Sequence, residues 1–106
     1  MMDAQRRLAW QQIVELTEQV FSLVQQQEWD DMLQRYRERD ALLRDFFAKP
    51  IGEDDSTEMA DAIQSLLTRD QEIQALCVVA KDEAARELGK VNLGRKVEAA
   101  YSRFGG

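Results

Sequence analysis

The side chains able to do chemistry in this 106-residue chain are nearly all charged: 20 Asp and Glu, 14 Lys and Arg, one cysteine and no histidine. Without imidazole, the commonest general acid–base group and the commonest metal ligand are both missing. One thiol cannot close a structural zinc site. Cys77 lies in an apolar stretch and reads as a buried small hydrophobe, not a reactive thiol. No Gly-rich phosphate loop and no nucleophile elbow occur. The run Glu53-Asp54-Asp55 lacks the spacing of a calcium loop and reads as a solvated, helix-capping segment. A catalytic site would have to be built from carboxylates and arginines alone. No enzyme activity, metal or cofactor is expected.

One polar residue stands out by position. Asp70 lies near the middle of an apolar stripe, between Leu66 and Ile73. Two placements are open to it. It can be a buried carboxylate paired with an arginine from the second helix, which would fix register. The other placement, which the reading favours, is snorkelling at the edge of the stripe.

The bulk balance points to protein partners. Net charge is −6, a surface that repels phosphate backbones and anionic lipid, so neither nucleic-acid binding nor membrane insertion is expected. No apolar run approaches the roughly 20 residues that span a bilayer. No secretory signal is visible, and a cytoplasmic location is expected. With one proline and five glycines, the chain has few helix breakers and reads as all-α, a single domain over 1–106.

Four helices are expected to position these groups, over about 3–26, 28–48, 56–88 and 95–104. In the first, Trp10, Ile13, Val14, Leu16, Val20, Phe21, Leu23 and Val24 fall within an arc of about 180°. That is wider than one packing partner needs. The second opens on Glu28, Asp30 and Asp31, which suit the positive end of a helix dipole. Its apolar face runs from Trp29 to Phe47, with Arg35, Arg37, Arg39 and Arg44 over much of the rest. Pro50 ends it. Asp55, followed by Glu58, resembles an N-cap with a carboxylate at N3, opening a third helix roughly 50 Å long against roughly 30–35 Å for the first two. Gly89 and Gly94 are expected to break the chain before a short fourth helix carrying Val97, Tyr101 and Phe104 on one face. The expected architecture is an antiparallel bundle of three main helices with the fourth packed across one face. Trp10, Phe21, Trp29, Tyr36, Phe46 and Phe47 are generous for so small a core, and the surplus suggests an interaction surface. An uncovered apolar groove would also invite a second copy, giving a homodimer.

Specific residues then point to a family. Glu28-Trp29-Asp30 with Leu33, Arg39 and Leu42-Leu43 resembles the second-helix pattern of the FliT-type flagellar export chaperones. Leu66-Leu67 through Asp70, Glu72-Ile73 and Leu76 resembles their third helix. Arg95-Lys96 followed by Ala100-Tyr101-Ser102-Arg103-Phe104-Gly105 is similar to their fourth. The resemblance spans about Trp10 to Gly106. It implies a cytosolic chaperone that binds the C-terminal part of the filament-cap protein, holds it unassembled and helps deliver it to the type III export apparatus. It also implies contact with the export ATPase complex and the export gate, and for some members the flagellar transcriptional activator. Tyr101 matches the family's export-docking tyrosine, and Val97 and Phe104 would seat a lid helix. Where the family commonly has glycine before Glu-Trp-Asp, this chain has Gln27, a difference expected to carry no weight. The client face is expected on the first and third helices: Ile13, Leu16, Val20, Leu66 and Ile73. The other reading of the same pattern is a helical adaptor or regulatory coiled-coil subunit.

Overall fold

Asp3 starts the first helix. Its carboxylate accepts the Arg6 backbone N–H at 2.8 Å, satisfying one of the donors a helix leaves open at its N-terminus. In the computed structural model, which describes the backbone of residues 2–104 and the side chains of residues 2–90, α1 runs Ala4–Gln25, α2 Trp29–Phe47 and α3 Ser56–Phe104. A single 3-10 turn, Glu53–Asp55, leads into α3. There is no strand among the described residues. The all-helical expectation holds, and α1 and α2 begin and end within a residue or so of the expected limits.

Between α1 and α2 the chain closes a tight C-terminal cap. The Glu28 N–H donates to the Leu23 carbonyl at 2.9 Å and the Gln27 N–H to Val24 at 3.1 Å. This pair of bonds is the Schellman pattern, and it requires a left-handed residue at its centre. Gln27 takes that conformation, with φ 58°. Gln27, expected to carry no weight, is therefore not neutral: a side chain in this region costs on the order of 1–2 kcal/mol.

The far end of α2 is closed from a distance. One guanidinium nitrogen of Arg6, Nη1, donates to the Pro50 carbonyl at 3.1 Å, and Nη2 donates to Phe46 at 3.2 Å and Lys49 at 3.4 Å. The same group lies 4.5 Å above the Phe46 ring. Arg6 thus serves one carbonyl of the last turn of α2 and two of the segment that follows it.

By mutual contact the chain forms two compact units, Met1–Leu76 and Cys77–Gly106, and α3 runs through both. In the first unit one buried cluster draws on all three helices: Trp10 and Ile13 from α1, Phe46 from α2, Met59 and Leu66 from α3, with Met2 closing it. The width of the α1 apolar arc follows: it meets two helices rather than one. In the second unit Cys77 is only half-buried, and every residue from 81 to 90 is exposed.

A separate fourth helix is not seen. α3 continues through Gly89 and Gly94 to Phe104. A glycine inside a helix costs about 1 kcal/mol relative to alanine, which weakens a helix without ending it. No proline follows Pro50, and the residues around both glycines are mostly good helix formers.

Candidate protein-binding site

Three helices meet at one charge. Arg39 of α2 is 3% exposed. Its Nη1 donates to the Asp70 Oδ1 of α3 at 2.5 Å and lies 3.5 Å from the Thr17 Oγ1 of α1. Thr17 is itself buried, and its hydroxyl donates to the Ile13 carbonyl at 2.8 Å. The guanidinium also stacks on Tyr36 at 4.8 Å. The favoured snorkelling placement of Asp70 is corrected: the structure shows the ion pair with a second-helix arginine, at the rim of the core with Asp70 28% exposed. This is a positioning network. It sets how α1, α2 and the start of α3 face each other.

The burial of Arg39 and Thr17 is absent from the sequence reading. A signal existed: Met32, Arg39 and Phe46 recur at seven-residue steps, so Arg39 occupies a core-facing position of α2.

Most of the expected client-contact residues are interior. Ile13, Val20, Leu66 and Ile73 are buried, and Leu16 is half-buried. Their spacing reported an inward face, and spacing alone cannot distinguish a face packed on a sister helix from one offered to a partner. Val97, Tyr101 and Phe104 have side chains outside the described residues.

What the first unit does leave open are two apolar surfaces. The first is a groove of about 150 Å³ between α1 and α3, lined by Trp10, Val14, Ala62 and Leu66. Val14 stands open on it. Glu18 and Arg69 also line it, joined by an Arg69 Nε–Glu18 ion pair of 2.9 Å. Arg69 further pairs with Glu72 at 2.7 Å and covers the Phe21 ring at 4.1 Å. The Glu18 hydrogen bond, with Glu72 adding to it, raises the Arg69 pKa above its ordinary value, so the guanidinium stays charged and this wall is an ion-pair network of one cation and two carboxylates.

The second surface is a stripe on α2. Trp29, Leu33, Tyr36 and Phe47 are each 37–45% exposed. With half-buried Leu43 and with Asp40 they share an arc of about 80° at 100° per residue. Phe47 joins the stripe to the core through ring contacts with Phe46 at 5.1 Å and Trp10 at 6.2 Å. The aromatic surplus is thus split: Trp10 and Phe46 are core, Phe21 is half-buried, and Trp29, Tyr36 and Phe47 face outward.

Among the described residues no group of three or more acidic or cysteine side chains is placed to hold a metal ion, and no helix is long and apolar enough to cross a membrane. Residues 8–103 match the family model described as flagellar protein FliT. Neither a curated protein nor a solved structure matches the chain.

Proposed function

The chain belongs to the FliT family of flagellar proteins, which implies a flagellar export chaperone, and on that premise we propose that it binds the C-terminal part of the filament-cap protein. In the cytoplasm it keeps that subunit unassembled and helps deliver it to the type III export apparatus. The observation that carries this reading is the family match over residues 8–103, nearly the whole chain. Its role is binding, without catalysis.

The groove between α1 and α3 is the proposed client seat. Val14 is open to solvent there and Leu66 lies in the lining. A client helix would lay its apolar side into this seam, the helix-in-groove mode. Ile13, Val20 and Ile73 are buried and Leu16 is half-buried, all outside the groove lining, so of the expected client face only Leu66 belongs to the seat. Tyr101 is assigned to docking on the export ATPase complex or gate, and a flagellar transcriptional activator is the proposed second partner. For Val97 and Phe104 to act as lid contacts, α3 would have to part near Gly89 or Gly94.

Calorimetric titration of the full chain with a peptide from the C-terminal segment of the cap protein tests the seat. Saturable binding is expected, weakened at least about tenfold by Val14→Asp, a desolvation cost of about 1.4 kcal/mol or more. Unchanged binding by Val14→Asp, with helicity intact, would rule the groove out. Tyr101→Ala should keep client binding and lower cap-protein export. Deletion after Leu93 should tighten client binding under the lid assignment, and unchanged affinity removes that assignment.

A further inference from the structure

Two ion pairs close the α1–α3 groove at its ends. Arg7 of α1 bonds Glu58 of α3 at 3.3 Å, and Glu18 of α1 bonds Arg69 of α3 at 2.9 Å. Both pairs join residues 51 apart in sequence, so the two helices run parallel here in one register. Each clasp lies about 16 Å from the other, three helical turns on either helix. Between them α1 contributes Trp10 and Val14, while α3 contributes Leu66 and two small residues, Ala62 and Ser65. The small α3 side chains at the levels of Trp10 and Val14 are what leave the gap open. Its volume is about 150 Å³, and a space of that size takes about one benzene-sized group.

This geometry separates two ways of holding a client helix. A continuous stripe of client side chains needs an open-ended trough. Here clasp side chains lie across the seam at both ends, so a client backbone cannot sink between α1 and α3. A single side chain reaching in between the clasps finds apolar contact on several sides. The two ends also differ in charge. Arg7 and Glu58 balance each other, whereas Arg69 holds both Glu18 and Glu72 and leaves that end with one net negative charge. With two nitrogens taken and its guanidinium over the Phe21 ring at 4.1 Å, Arg69 has little to offer a client carboxylate. That end is suited to a client cation.

We propose that the groove is a one-anchor pocket: it reads a client helix by one large apolar side chain, a leucine, methionine or phenylalanine, with a lysine or arginine one turn away directed at Glu18 and Glu72. The inference rests on the groove being the client seat and adds what that seat recognises. Affinity concentrated on one desolvated anchor within a polar rim is how binding hot spots are built.

Calorimetric titration with the C-terminal cap-protein peptide, scanned with alanine at every apolar and basic position, tests this. One apolar position should cost at least about thirtyfold in affinity and each of the others less than about fivefold. One basic position should cost about three- to tenfold at low ionic strength, and less at about 0.5 M salt. Ser65→Leu, which plugs the pocket from an exposed wall position, should weaken binding at least about tenfold with helicity intact. Glu72→Lys leaves the Arg69–Glu18 clasp in place and should weaken binding about tenfold, and reversing the client's basic residue to glutamate should restore it. If Val14→Asp weakens binding but Ser65→Leu does not, the one-anchor pocket is overturned while the seat stands. Losses spread evenly over several apolar client positions, or no rescue of Glu72→Lys by the client charge reversal, would overturn it in the same way. If Val14→Asp leaves binding unchanged, the seat itself is wrong and this inference falls with it.

Discussion

Removing the Asp70 carboxylate should cost more than removing the arginine it holds. In Asp70→Ala the guanidinium of Arg39 stays 3% exposed, with Thr17 at 3.5 Å and Asp40 at 4.0 Å as its remaining polar neighbours. Stranding a fully buried charge costs about 3–5 kcal/mol. Asp70 is 28% exposed, so water already screens part of the pair, and about 2–3 kcal/mol is expected. Arg39→Met keeps the aliphatic stem in place and leaves Asp70 close enough to water to be solvated, so about 1 kcal/mol is expected. The double variant Asp70→Ala with Arg39→Met should lie close to Arg39→Met alone. That leaves a coupling of about 2–3 kcal/mol in favour of the native pair, equal to the Asp70→Ala cost itself. Urea unfolding followed by far-ultraviolet circular dichroism, with the slope constant across the four proteins, measures all terms of the cycle. Asp70→Ala within about 0.5 kcal/mol of the native protein, or a larger loss for Arg39→Met than for Asp70→Ala, would refute the reasoning.

Gln27→Gly should stabilise by roughly 0.5–1 kcal/mol, the relief of the left-handed side chain offset in part by the entropy glycine adds to the unfolded chain; in urea this reads as a higher midpoint at unchanged slope. Arg6→Met should destabilise by about 1–2 kcal/mol, because three carbonyls at the end of α2 lose their common donor. Gly89→Ala should add helix without clash, since a Cβ there meets nothing within 4 Å. A gain of helical signal equivalent to up to about 1 kcal/mol is expected, and a loss of signal would mean that the glycine is required.

Helix existence and the limits of α1 and α2 were legible from apolar period and from the breakers around Pro50. The two failures have one origin. Period says that a face is apolar and says nothing about what covers it. Ile13, Val20, Leu66 and Ile73 therefore read as open when they are packed, while the outward stripe from Trp29 to Phe47 lies within the same apolar α2 pattern as the buried Phe46. Glycine failed in both directions. Gly89 and Gly94 sit at helix positions where glycine is only mildly unfavourable, so α3 does not stop at them. At position 27 the backbone is the glycine-like one and the residue is not. The Arg39–Asp70 pair was half legible: the acid was visible because it interrupts an apolar stripe, and the arginine was hidden among four on one helix. The client seat remains a property of surface shape, which one-dimensional spacing does not encode.

The exposed run at 81–90 has a consequence for how the protein comes apart. Its backbone hydrogen bonds are held by helix propensity alone, since no described side chain from Lys81 to Lys90 is buried. The amides at Met59, Leu66 and Ile73 sit where buried side chains must first be released. Hydrogen exchange should therefore sort α3 into two stability classes along one continuous helix. Slow, global opening is expected near its start, and fast, local opening from Lys81 to Lys90. A single melting temperature would report the first class and overlook the second.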